Sequence, residues 1–547
     1  MRKSILLLFT AALLAADFAA EGDLWWAHVE YLAGDQLQGR ETGSDGYRAA
    51  ARYVAGKMET FGLKPAGTSG YLQPIQFEVR QVVDDQSSLA LVRDGVATPL
   101  ERAEATFNAR ADLAPALEAP MVFVGYGLRI PEAKYDELAG FDLRGKIAVY
   151  VNAPGPVEAP GPVKSHFGSA AERWKTLQAA GAIGIATIAN PRAPTGANPD
   201  DASTSTGPRT SAADPASGAG RAGGRGPQRA FLLADPNLRD SGGQKIALTI
   251  TRRGGEKFFE GSGYTFEEIL KLAQENRPLP KFPLTATLHA KAAVRRETAE
   301  APNVAGVLPG SDARLKNEYV IMSAHLDHLG VGRAINGDNI YNGAMDDASG
   351  IASILEIARL LHESGAHPKR SILFLAVTGE EKGELGSRYF SVHPTVEKKQ
   401  IVADINLDMF MPLFPLKYIE VQGLAESTLG DDIREAAKAA GVEVQADKEP
   451  EQNRFIRSDQ YSFIRNGVPS LAFKFGYQFG TPEDKIFHDW IKERYHKPSD
   501  DLAQPVDKAA AAQFNHIIAA LLQKIADDPS RPAWKPDSFF RRYQPHP

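Results

Sequence analysis

The chain has 547 residues, 43% hydrophobic and 24% charged, a soluble globular balance that argues against wholesale disorder; at about 150 residues per domain it has room for several domains or one enlarged domain with an insertion. Its 68 acidic and 62 basic side chains leave a net charge of −6, which gives no electrostatic reason to coat nucleic acid or anionic membrane. There is no cysteine, so a disulfide framework, thiolate metal sites and a cysteine nucleophile are excluded.

At the N-terminus, Arg2 and Lys3 precede an apolar run from Ile5 to Ala16, with small residues at Ala19 and Ala20. This reads as a secretory signal peptide over 1–20, cut between Ala16 and Ala20, and predicts an exported protein, periplasmic or extracellular. The run of about 12 residues falls short of the ~20 that span a bilayer, and no later stretch reaches ~18 uninterrupted apolar residues. No stable membrane anchor is therefore expected. The pattern from Trp25 to Gly34 predicts a short helix, and Gly39 to Gly46 a turn-rich loop. Tyr47 to Phe61 follows as an amphipathic helix with Ala50, Tyr53, Val54 and Met58 on one face.

The texture changes over 106–282. Met121–Gly127 and Lys146–Val151 read as short strands, and Trp174–Gly181 as a helix running into a strand at Ile183–Ile188. Small and polar residues dominate 190–229, which predicts a flexible surface loop. From 283 onward strands and helices alternate, the mark of an α/β sheet. Tyr319–Ala324, Ser371–Val377, Ile401–Leu407 and Ser470–Phe475 read as strands, and Ile351–Leu361 as a helix. Ser371–Val377 is almost continuously apolar, as a strand covered on both faces should be. Gly330, Gly332 and Gly337 do not make a nucleotide loop, because no helix follows them.

In open α/β sheets ligands bind beyond the carboxyl ends of the strands. There the sequence places His325, Asp327 and His328 after one strand, Glu380 and Glu381 after another, and Asp408 after a third. Asp346 and Asp347 precede a helix, and Tyr495–His496 follow the last strand. Gathering so many carboxylates is costly unless a cation relieves the repulsion. The donors are imidazole nitrogen and carboxylate oxygen only, which suits catalytic Zn²⁺, with Mn²⁺ or Co²⁺ as substitutes. His328 and His488 are read as structural.

These segments resemble the zinc aminopeptidase family that includes secreted bacterial aminopeptidases, glutamate carboxypeptidase and the plasma carboxypeptidase group. The resemblance rests on His325-Leu-Asp327, Gly343 to Gly350, Gly379-Glu380-Glu381, Asn406-Leu-Asp408, Arg457-Ser458-Asp459 and Tyr495-His496, in family order, with a looser likeness at Gly39–Gly43. It implies an α/β fold, a mixed, largely parallel sheet sandwiched between helices, with an inserted mostly-β protease-associated domain. The domain scheme is then a peptidase domain of 21–105 and 283–529, the insert at 106–282 and a tail at 530–547. Val124–Gly127 and Leu143–Lys146 carry the likeness of the insert.

Carried over by position, the resemblance assigns one metal to His325 and Asp408 and the other to Glu381 and His496, with Asp346 bridging two Zn²⁺ ions. Glu380 is implied as general base, Asp327 as the residue that orients His325, Tyr495 as an oxyanion donor and Arg457 as part of the substrate pocket. The Asp346–Asp347 peptide is often cis in relatives. The implied activity is a di-zinc aminopeptidase that hydrolyses peptides with a free N-terminus, using a metal-activated water. Carboxypeptidase or dipeptidase action on the same fold, glutaminyl cyclase and a non-catalytic receptor-like binding protein are the alternatives. Two departures stand out. Met345 occupies a position where the family often has Asn, and Gln460 stands where it reads His.

Overall fold

A computed structural model describes residues 17–192 and 229–544, so the apolar run before residue 17 and nearly all of the 190–229 loop lie outside the described residues. The chain forms two compact units. One takes residues up to Gln76, Glu300–Lys448 and Ser458 onward; the other takes Phe77–Ala299 and Glu449–Arg457. The second unit is thus wider than 106–282. The Ser88–Arg93 strand pairs antiparallel with Phe282–Lys291, so the chain before 106 is built into the same sheet.

In the first unit the strands run in the order Val294–Leu308, Ser371–Val377, Tyr319–His325, Ile401–Asn406, Ser470–Gly476, Tyr418–Gln422, Glu443–Ala446. The central neighbours are parallel, whereas the Val294–Leu308 strand is antiparallel to Ser371–Val377. All seven residues of Ser371–Val377 are buried, as its apolar run requires. Ile321, Leu373, Leu375 and Val377 form one core with Phe390 and Phe463 from the Leu385–Val392 and Gln460–Ile464 helices. The Ser349–Glu363 and Lys508–Asp527 helices pack on the Tyr319–His325 strand and on the Phe18–Leu32 helix.

The amphipathic helix covers Asp45–Thr60, starting two residues early because the Ser44 side chain caps the Tyr47 amide at 3.0 Å. Gly330–Ile335 and Asp338–Tyr341 form a hairpin across Asn336 (φ +54°) and Gly337 (φ +93°). Positive φ at both turn positions is what Asn-Gly supplies in a two-residue hairpin.

The second unit holds an eight-stranded mixed sheet. Its order is Val96–Leu100, Ser88–Arg93, Phe282–Lys291, Ala116–Phe123, Ile147–Asn152, Gly184–Ala189, Ile246–Ile250, Ala105–Phe107. The strand expected over Met121–Gly127 stops at Phe123, because Gly125 and Gly127 turn the chain at φ +69° and +64°. Helices Phe266–Gln274 and Arg252–Phe259 add Phe266, Ile269, Phe258 and Phe259 to a core of its own.

Candidate metal centre

Three adjacent parallel strands, Ser371–Val377, Tyr319–His325 and Ile401–Asn406, end at one rim, and each hands over an acid or an imidazole just past its last residues. His325 closes its strand and is buried. Its Nδ1 lies 3.0 Å from the Asp327 carbonyl oxygen, which can only accept, so Nδ1 carries the proton and Nε2 turns to the carboxylates. Nε2 lies 3.1 Å from Asp346 Oδ1 and 3.7 Å from Asp408 Oδ1. On the other side, His496 Nε2 lies 3.2 Å from Asp346 Oδ2 and 3.4 Å from Glu381 Oε2. The two oxygens of Asp346 therefore face two different imidazoles.

Asp346 and Asp347 sit in a tight turn before the Ser349–Glu363 helix, and the peptide between them is cis. Asp347 Oδ1 accepts the Gly350 amide at 3.0 Å and the Met409 amide at 3.2 Å, so it caps the helix and ties it to the Asp408 loop. Its other oxygen has no hydrogen bond, and its ligand atoms group with those of His325 and Asp408. His328 also enters the rim. Its Nδ1 lies 2.7 Å from Glu381 Oε1, and it groups with Asp346 and Glu381.

Asp327 reaches His325 through its carbonyl rather than its carboxylate. The carboxylate accepts the Glu380 amide at 3.1 Å and the Thr42 hydroxyl at 2.9 Å, which fixes the start of the glutamate loop. Asp500, four residues after His496, accepts the amides of Met345 at 2.9 Å and Asp346 at 3.1 Å, and Gln504 donates to it at 2.7 Å. The Tyr495 ring stacks on that of His496 with 3.9 Å between centroids. Arg457 belongs to the second unit, where its Nη1 donates to the Gln452 carbonyl at 3.4 Å.

Burial raises the Glu380 carboxyl well above the ordinary glutamate range, with Glu381, Asp408 and Asp459 adding to the rise and His325 opposing it. Burial also works against ionising Asp346, yet His325 and His496 hold it well below the usual carboxylate range. Burial disfavours a charged His325 as well, and Asp346 and Asp408 still lift its pKa well above 6.5. Burial pushes Asp327 and Asp347 up.

The donor set fits divalent cations. Asp346 Oδ2, Asp347 Oδ2, Glu381 Oε1 and Asp408 Oδ1 are buried and accept no well-directed hydrogen bond, a costly arrangement that a cation would relieve. Nitrogen and carboxylate oxygen without sulfur is the donor chemistry of hydrolytic zinc sites.

Residues 303–522 match Peptidase family M28. The chain is 32% identical over 123 residues to carboxypeptidase Q of Xenopus laevis, across 22% of this chain and 24% of that protein. It is 30% identical over 221 residues to a probable leucine aminopeptidase 2 of Aspergillus oryzae, across 36% of this chain and 40% of that protein. The chain thus spans less than half the length of these two curated relatives. Among solved structures, an aminopeptidase from Aneurinibacillus sp. strain AM-1 superposes with a TM-score of 0.53 at 19% identity, over 95% of this chain and 97% of that one. That likeness shows a shared fold.

Proposed function

From the match of residues 303–522 to Peptidase family M28, we propose that the protein is an exported zinc aminopeptidase of that family with two metal subsites. The observation that carries the reading is Asp346, whose two carboxylate oxygens lie 3.1 Å and 3.2 Å from the imidazoles of His325 and His496. A carboxylate shared in this way is what two neighbouring cations require. His325 and Asp408 would hold one zinc, Glu381 and His496 the other, with Asp346 between them. Bound zinc supplies Lewis acidity, polarising a carbonyl and lowering the pKa of water toward about 7.

The chain's own groups do the rest. Glu380, its carboxyl raised by burial, takes a proton at its carboxylate oxygen from the attacking water and returns it to the leaving amine. The Glu380 amide is held by Asp327, so the base is presented from a fixed loop. Tyr495, positioned by its stack on His496, is the donor proposed for the tetrahedral oxyanion.

Selectivity for a free N-terminus is the reading that the probable leucine aminopeptidase 2 relative favours. The Arg40 guanidinium, buried behind the His325 loop, is taken up by backbone carbonyls and is not offered to a substrate carboxylate. The carboxypeptidase Q relatives favour a second reading, cleavage from the C-terminus on the same fold. Leucyl anilide, which has a free amine and no carboxylate, and an N-acetylated dipeptide, which has a carboxylate and no free amine, decide between them, assayed before and after chelation and zinc restoration. Hydrolysis of the free-amine substrate alone, lost with chelator and regained with zinc, is expected. Equal cleavage of the acetylated substrate would remove the aminopeptidase reading.

A further inference from the structure

Arg40 is among the largest fully buried side chains of the protein, yet no carboxylate among the described residues pairs with it. Its guanidinium instead donates to four backbone carbonyls. Nε reaches Leu326 O at 2.9 Å, Nη1 reaches Asn342 O at 2.7 Å and also Leu32 O, and Nη2 reaches Gly343 O at 3.0 Å. Leu326 lies between His325 and Asp327, and Gly343 lies three residues before Asp346. One planar fork thus joins the two loops that carry the first two histidine and aspartate ligands, and anchors both to the end of the Phe18–Leu32 helix.

The backbone of the same segment reinforces the tie. The His328 amide donates to Arg40 O at 3.3 Å, and Glu41 forms a bridge with His328. Arg40 holds φ +47°, a region that non-glycine residues rarely occupy, so the turn around it is fixed by its surroundings. We propose that Arg40 is a positioning residue that sets the spacing of the His325–His328 loop against the Asn342–Asp346 loop and thereby sets metal affinity. The inference rests on the two-zinc reading above.

A competing role for Arg40 has the opposite sign. Burial lowers its pKa to about 10, while Asp500, Asp327, Asp347 and Asp346 pull it upward, so it stays cationic beside these acids. A cation there repels metal. If charge were its whole contribution, removing it would tighten zinc binding. If geometry dominates, removal loosens the two loops and weakens binding, and Lys cannot substitute, because a point ammonium cannot span four carbonyls in a fork.

The test uses the full chain, stripped of metal and titrated with zinc against a chromophoric chelator, alongside cobalt(II) absorption spectra. Wild type is expected to take up two equivalents. R40M is expected to keep its far-UV circular dichroism while zinc affinity falls at least tenfold and the cobalt ligand-field bands change. R40K is expected to lose at least threefold, and it decides the matter alone if R40M does not fold. R40M binding zinc as tightly as wild type or more tightly, or R40K matching wild type, overturns the positioning role. A wild type that takes up no zinc overturns the two-zinc reading instead.

Discussion

Asp404 lies in the middle of the Ile401–Asn406 strand, fully buried and two residues before Asn406, on the same face of that strand. Its Oδ1 accepts the Ser323 hydroxyl at 2.7 Å, and Ser323 also reaches Asn406 Oδ1 at 3.0 Å. Burial pushes the carboxyl up to about 7 despite the hydroxyls of Ser323 and Ser470. In the unfolded chain it ionises near its ordinary 3.8. Between these two values the folded state keeps a proton that the unfolded state has released, so stability falls as pH rises through the window. From about pH 5 to pH 8 the expected loss from this group is about 2–3 kcal/mol. Asp404→Asn should remove it. Urea unfolding at both pH values should then show the variant gaining on wild type at the higher pH. An equal difference at both would mean that Asp404 is not the group responsible. Strand ends and a period of two made His325, Asp408 and the glutamate pair readable from sequence. The partner of the Asp327 carboxylate, Thr42, was not readable, because it belongs to a distant loop with no local pattern pointing to Asp327.

Among the elements, the Ser349–Glu363 helix depends on how closely it meets the Asp408 loop. At Gly350 a Cβ would lie 2.0 Å from Leu407 O and 2.5 Å from both Asp347 carboxylate oxygens. The backbone carbonyl cannot withdraw without moving Asp408. Gly350→Ala is therefore expected to cost about 1–3 kcal/mol of stability, and to weaken zinc binding as well. Thermal unfolding and chelator competition measure the two effects, and a variant that matches wild type in both would show that the contact can relax. The helix itself was legible from its apolar spacing. The approach was not, since a glycine in Asp-Asp-Ala-Ser-Gly reads equally well as a helix start. Asn336-Gly337 between Val331 and Tyr341 carries a hairpin signal; reading the glycines against a nucleotide loop left that turn chemistry unused.

At the scale of the whole molecule, the first unit brings six acids and imidazoles to one rim in two groups of three, and a cation that binds only the folded chain stabilises it by mass action. Zinc at one hundred times its dissociation constant should add about 2.7 kcal/mol to unfolding, and chelation should remove it. Magnesium, which favours oxygen ligands and keeps its waters, should do little at the same concentration. Calorimetry with each ion checks this, and an unfolding temperature indifferent to zinc would count against the metal centre. Alternating strands and helices made the α/β class readable, whereas the edge of the second unit was not, because the strands before residue 106 join a sheet completed only near residue 291.

Asp500, which receives the amides of Met345 and Asp346, leaves the ribosome late, long after Arg40. A half-made chain therefore carries its acids without the loop that orients them. A chain halted before residue 500 lacks the acceptor of the Met345 and Asp346 amides, so it is expected to hold divalent ions more weakly than the full chain, which equilibrium dialysis checks.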